Sequence, residues 1–192
     1  MNHSQPAFAR RKFLKYSLLG LGGVVGIGTI GAGIFLSNSF RNNYGKLLVL
    51  DGHLADIAHA FAEAALPQGN GFPSIKEATV VQRMDEELFF IDPNIQSDFK
   101  AVLYLVEAMP LLEGRFSRFS RLSREQRIAF LEQMQATTND LYRVAIANAR
   151  MVVRLMYYGH PSTWKAIGYD GPFGNIPEVL SEQRRYYASL VK

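Results

Sequence analysis

The chain has 192 residues, no cysteine and a formal net charge of +4. That charge sits at the N-terminus: Arg10, Arg11, Lys12 and Lys15 precede the first acidic residue, Asp51, and without those four, 17 basic residues balance 17 acidic ones. A neutral remainder excludes the basic footprint of nucleic-acid binding, and the lack of cysteine excludes a C-x-x-C-H haem attachment, an iron–sulfur cluster, a thiolate zinc site, a thiol nucleophile and any disulfide.

Residues 16–40 carry no charge and are dominated by Leu, Gly, Val, Ile and Ala. About 20 such residues span a bilayer core as a helix, and positive charge on the N-terminal flank alone places residues 1–15 in the cytoplasm and the rest outside. A plain transmembrane anchor has this form. In addition, Ala9-Arg10-Arg11-Lys12-Phe13-Leu14-Lys15 resembles the twin-arginine translocation signal, whose pattern is Ser or Thr, Arg, Arg, any residue, Phe, Leu, Lys. The departure is at Ala9, so the resemblance makes Arg10, Arg11, Phe13, Leu14 and Lys15 the export signal, read by the twin-arginine translocase. Gly20, Gly22, Gly23, Gly26, Gly28, Gly31 and Gly33 weaken the apolar helix, as in the mild hydrophobic segments of that route. Gly31-Ala32-Gly33 is the nearest small-residue match to a cleavage site, so the leader is either removed there or retained as a membrane anchor. The expected organisation is a signal or signal-anchor helix over residues 1–40 and one helical domain over 41–192, on the periplasmic side.

After a polar joint, Leu47, Leu50, Leu54, Ile57, Ala58, Phe61 and Ala65 recur at three- and four-residue steps, which predicts a helix from Tyr44 to Ala65. Pro67 to Pro73 breaks it. Ser74 or Thr79 is placed to cap a second helix bearing Val80, Val81, Met84, Leu88 and Phe89, which Asp92-Pro93 stops. A third helix is expected from Ile95 to Leu112, with Pro110 as an ending signal. In "GRFSRFSRL", residues 114–122, the expectation is a loop whose Phe116 and Phe119 pin it to the core while Arg115, Arg118 and Arg121 stay in water. Ser123 and Gln126 form a predicted capping box ahead of Ile128, Leu131 and Met134. Leu141, Val144, Ala145, Asn148, Val152, Leu155 and Met156 mark a last long helix, with Gly159 as a left-handed C-cap. The domain therefore reads as an all-α bundle of about five helices with short connections. Its tail, Tyr157 to Leu180, mixes Tyr157, Tyr158, Trp164, Tyr169 and Phe173 with fixed turns at Pro and Gly. It is too apolar for a free linker and must pack on something.

Sites of chemistry are scarce. His53, Asp56 and His59 are the one metal-like cluster, but their helical spacing leaves the two histidines about 120° apart around the axis, and zinc pairs use i and i+4. They read as surface or partly buried side chains. No G-x-S-x-G elbow, H-E-x-x-H or Walker-type loop occurs. Asp85, Glu86 and Glu87 read as a solvated helix face, with Asp85 the member placed to turn inward.

Four segments, "IAHAFAEAALPQG", "VVQRMDEEL", "LSREQRIAFLEQM" and "YYGHPSTWKAIGYDGP", resemble the gluconate 2-dehydrogenase subunit 3 family, the small subunits of glucose-methanol-choline-type flavoprotein dehydrogenases. The resemblance covers residues 50–173 and is most specific in the last segment. It implies a non-catalytic subunit with no cofactor of its own, bound to a large FAD-binding subunit that oxidises sugars or related alcohols and passes electrons to a cytochrome c subunit. It also implies that the small subunit carries the export signal for the complex. Members often contain a cysteine; this chain has none, so no covalent tie to a partner is expected. The aromatic tail suits such a contact, because Trp and Tyr on a fixed backbone give large pre-ordered area at low entropic cost. Trp164, Tyr169, Pro172 and Phe173, with His160 and Asp170 as polar members, are the candidate partner-contact residues; the alternative is that the tail caps its own bundle. A stand-alone anchored binding or scaffold protein is the other functional reading.

Overall fold

A computed structural model describes residues 42–172 and 180–192. The leader, including Arg10, Arg11, Phe13, Leu14 and Lys15, and tail residue Phe173 lie outside the described residues. Within them the fold is all-helical: α1 (Gly52–Ala65), α2 (Val80–Phe89), α3 (Pro93–Leu112), α4 (Arg124–Gln135), α5 (Asp140–Tyr158), the short α6 (Pro161–Trp164) and α7 (Glu182–Leu190). Among the described residues there is no strand, and no helix is long and apolar enough to cross a membrane.

Helix α1 is the central element, burying Leu54, Ile57, Ala58, Phe61 and Ala62 against α3, α4 and α5. Phe61 meets Phe119 at 6.0 Å between ring centroids, and Phe119 meets Phe130 of α4 at 6.2 Å. The open end of α1 is closed by cations from α4, which suits the negative end of a helix dipole. Arg127 Nη1 donates to Ala60 O at 2.7 Å, and Arg124 Nε donates to Glu63 O at 3.0 Å. Helix α4 starts at the expected capping box: Gln126 N donates to Ser123 Oγ at 3.2 Å and Ser123 N to Gln126 Oε1 at 2.9 Å.

Helix α1 does not begin at Tyr44. It starts at Gly52, where the Asp51 carboxylate accepts from Leu54 N at 2.8 Å. The residues before it form a non-helical strap whose amides go to a side chain instead of a helix ladder. Leu48 N donates to Asp85 Oδ2 at 2.7 Å, and Val49 N and Leu50 N donate to Asp85 Oδ1 at 2.9 and 2.7 Å. Tyr187 of α7 donates its hydroxyl to Asp85 Oδ2 at 2.5 Å, and its pKa is pushed up by burial and then by that carboxylate. Asp85 is fully buried, so it leaves the solvated face on which Glu86 and Glu87 remain. Four donors balance a buried anion with no cation among those bonds. Helix α7, which the sequence reading did not anticipate, is capped by Ser181 and also held by Arg184 Nε to Glu86 at 3.3 Å, Lys46 Nζ to Leu190 O at 2.6 Å and Tyr187 against Phe89 at 5.7 Å.

Four further expectations are corrected. Thr79 stands at the start of α2 with φ 45° and no capping bond; Ser74 instead exchanges bonds with Glu77, with Ser74 N to Glu77 Oε2 at 2.6 Å and Glu77 N to Ser74 Oγ at 3.1 Å. Pro110 lies inside α3, where its missing N–H removes a ladder bond only near the end of the helix. Phe116 is fully exposed, whereas Arg118 is buried with its Nε 3.2 Å from Glu107 Oε1. Glu107 also accepts from Ser120 N at 2.8 Å and Ser120 Oγ at 2.7 Å, which is why the loop's arginine rather than its first phenylalanine turns inward. Finally, α5 buries Tyr142, Ala145, Ile146, Ala149, Val153, Met156 and Tyr157, so Val144, Asn148 and Leu155 face outward.

Asp85→Asn places an amide donor against backbone donors, and Asp85→Ala leaves the strap amides unpaired; each should lower the unfolding free energy by about 3–5 kcal/mol. Tyr187→Phe, which spares the strap bonds, should cost about 1.5–3 kcal/mol. Urea titrations of the variants measure both, and losses below 1 kcal/mol, within the ordinary surface range, would contradict the role given to Asp85.

Candidate functional site

The candidate site is the aromatic turn after α5. Its base is Tyr157, fully buried, whose single hydroxyl proton is shared between Pro67 O at 2.9 Å and Pro73 O at 2.7 Å. Burial first, then Tyr158 and Glu77, push this phenol up to about 12. It fastens the 67–73 loop to the end of α5. The next residue, Gly159, closes α5 in right-handed conformation, φ −74°, and not as the left-handed cap expected. Glycine is needed there for space: a Cβ would stand 2.8 Å from Leu155 O and 3.1 Å from Arg83 Nη2.

His160 opens α6. Its Nδ1 accepts from Ser162 N at 3.2 Å and pairs with Ser162 Oγ at 2.7 Å. Burial, then the nearby Arg83 cation, lower the imidazole pKa, which favours the neutral ring this cap requires. Thr163 is fully buried, and its hydroxyl lies 2.8 Å from His160 O. A 3₁₀ turn, Lys165–Ile167, leads to Gly168 at φ 68°, and Tyr169 N then donates back to Trp164 O at 2.9 Å.

This return wraps the chain around Trp164. Tyr169 meets the indole edge-on at 5.4 Å, and at Gly171 (φ 108°) an added Cβ would lie 3.3 Å from the indole. Trp164 is therefore half-buried within its own turn. Asp170 and Pro172 are exposed, Tyr169 is 39% exposed and Ile167 44%. The candidate contact residues thus divide: His160 and Trp164 build the turn, while Tyr169, Asp170 and Pro172 stand on its outside. Ile167 joins that outer group; its position after Trp164-Lys-Ala gave no periodic signal.

The metal-like cluster does not assemble. His53 lies beside Tyr104 with ring centroids 6.1 Å apart, Asp56 accepts from Tyr44 Oη at 2.9 Å, and His59 Nε2 is 3.5 Å from Glu63 Oε1. Among the described residues no group of three or more His, Asp or Glu side chains is arranged to hold a metal ion. A small cavity of about 20 Å³, bordered by Tyr44, His59, Ile75, Lys76 and Gln82, has room for about one water molecule. Glu63, the partner of His59, is lowered to about 2, first by the hydrogen bond from His59 and then, against burial, by His59 and Arg127 charge.

Comparison with protein-family models, curated proteins and solved structures gives no match to this chain.

Two outcomes follow from this geometry. Tyr157→Phe removes the proton that two carbonyls share and should cost about 1–2 kcal/mol by chemical denaturation, with faster protease cleavage in the 67–73 loop. Because Glu63 is ionised at lower pH folded than unfolded, its contribution is full above about pH 4.5 and is lost as pH falls towards about 2. Stability measured from pH 5 to pH 2.5 should therefore fall less steeply in Glu63→Gln than in the parent protein.

Proposed function

We propose that this chain is the non-catalytic small subunit of a periplasmic FAD-dependent dehydrogenase complex of the glucose-methanol-choline type. In this reading it supports folding and assembly of a large flavin subunit and carries that subunit through the twin-arginine translocase. FAD belongs to the partner, and a cytochrome c subunit takes the electrons. The observation that carries the proposal is the Trp164-centred turn. It is a rigid aromatic loop held by Tyr157, Thr163 and the Tyr169–Trp164 bond, yet it leaves Ile167, Tyr169, Asp170 and Pro172 outside. Pre-ordered aromatic surface of this kind is what an interface anchor needs. The same segment carries the most specific part of the family resemblance. The Arg10-Arg11 signal supports the reading further, since that route takes folded passengers and this domain shows no cofactor motif that would demand it.

The test is co-expression with a tagged flavoprotein dehydrogenase from the same genome. With the small chain present, active flavoprotein should accumulate in the periplasm; without it, or with Arg10→Lys and Arg11→Lys together, periplasmic activity should be lost. Ile167→Asp, a change on the outer side of the turn, should weaken co-purification about tenfold or more, in line with a hot-spot loss above 1.4 kcal/mol. A flavoprotein that folds, is exported and oxidises substrate without this chain would overturn the proposal in favour of a stand-alone scaffold protein.

A further inference from the structure

The outer face of α5 carries an apolar ridge that the other described residues leave exposed. Val144, Met151 and Leu155 are 45%, 65% and 66% exposed. At about 100° per residue they fall within about 40° of one another around the axis, with Asn148 among them. The spacing i, i+7, i+11 is that of a seam meeting another helix, since a 3.5-residue period keeps one stripe facing a helical neighbour. Exposed Ala147 beside the ridge lets a second backbone come close.

Charge on α5 is one-sided. Arg143, Arg150 and Arg154 all lie about 80–120° round the axis on the same flank of the ridge. The single acidic residue of the helix, Asp140, is bonded to Arg143 at 2.6 Å. Arg150 and Arg154 stand one helical turn apart, Arg154 exposed and Arg150 half-buried, and burial first, then the Arg154 cation, lower the Arg150 pKa. A second copy of α5 packed antiparallel across a two-fold axis would set arginine flank against arginine flank, which disfavours that pairing. A lipid surface would gain little from three aliphatic side chains with an asparagine among them. A helix with apolar residues on one side and carboxylates along one flank satisfies both the ridge and the guanidinium pair.

We propose that the outer face of α5 receives an acidic amphipathic helix from a partner protein, with Val144, Met151 and Leu155 taking its apolar side and Arg150 and Arg154 its carboxylates. This surface stands apart from the Trp164 turn in its chemistry, and the inference holds whichever protein supplies the helix. Asn148 sets the register, as a lone polar residue does within an apolar seam.

The chain has no cysteine, so Ala147→Cys in the full-length protein gives a unique position for an environment-sensitive fluorophore. The labelled protein, in phosphatidylcholine nanodiscs, is titrated with two synthetic helical peptides sharing a leucine heptad ridge, one flanked by Glu and one by Lys. The emission should shift to the blue with the Glu-flanked peptide at concentrations about tenfold lower or more. Leu155→Asp should abolish the shift without change in helical circular dichroism. Arg154→Glu should reverse the preference between the peptides, a gain that a misfolded variant cannot imitate. An equal response to both peptides overturns the inference. So does a blue shift without peptide, whether on raising protein concentration, which would assign the face to a second copy, or in phosphatidylglycerol nanodiscs, which would assign it to lipid.

Discussion

The domain is organised around one buried carboxylate. Asp85 gathers three successive backbone amides of the strap and a phenol from α7, and so joins the strap and α7 to α2. An anion with no solvent contact must be neutralised or fully bonded, and here the bonding is supplied by oriented dipoles, as in an anion-binding nest. Glu107 meets the same demand differently, with the Arg118 guanidinium and both donors of Ser120. The first arrangement fixes where the strap and α7 lie on α2; the second turns the 114–122 loop back onto α3. Each uses directional bonds where helix packing alone would leave a connection free to slide.

Much of the helical frame was readable from residue spacing, because a 3.6-residue apolar period and a capping box are local signals. The Ser123–Gln126 box, the Asp92-Pro93 stop and the buried faces of α1 and α2 follow from neighbours a few positions apart. The errors have a common cause in partners distant in sequence. Tyr44 to Leu50 has helical periodicity, but its amides are claimed by Asp85, some 35 residues further on. The inward turn of Arg118 depends on Glu107, and the need for glycine at position 159 comes in part from Arg83, which an added Cβ would meet at 3.1 Å. On α5 the apolar residues nearly encircle the helix, so periodicity chose a stripe through Val144 and Leu155 while packing chose the one through Ile146 and Val153. Helix α7 contributes one buried residue, Tyr187, too little pattern to register; Ser181 followed by Glu182 was its signal.

The tail shows why residue type alone could not separate an interface from a cap. Trp164 supports the turn: its ring is the post around which Tyr169 and Gly171 turn, and the turn so formed carries other side chains outward. A large aromatic residue in such a loop is therefore a poor first target for probing contact, since removing it collapses the support. Outer residues such as Ile167 and Asp170 separate contact from support. The ridge on α5 is a second exposed surface of different character, aliphatic and flanked by arginine, where the tail is aromatic and built on glycine and proline turns.

The tie between Lys46 and Leu190, beside the Asp85 node, brings the two ends of the domain to one place. Domain ends are ordinarily the first parts of a structure to fray, opening at little free-energy cost while the core stays intact. Here fraying of either end carries an added cost, because departure of the strap or of α7 strips donors from the same buried charge. Backbone amides of residues 48–50 should thus exchange with solvent on the timescale of the core rather than of a terminus. The domain behaves as a closed ring with a clasp, and its boundary is among its most cooperative parts.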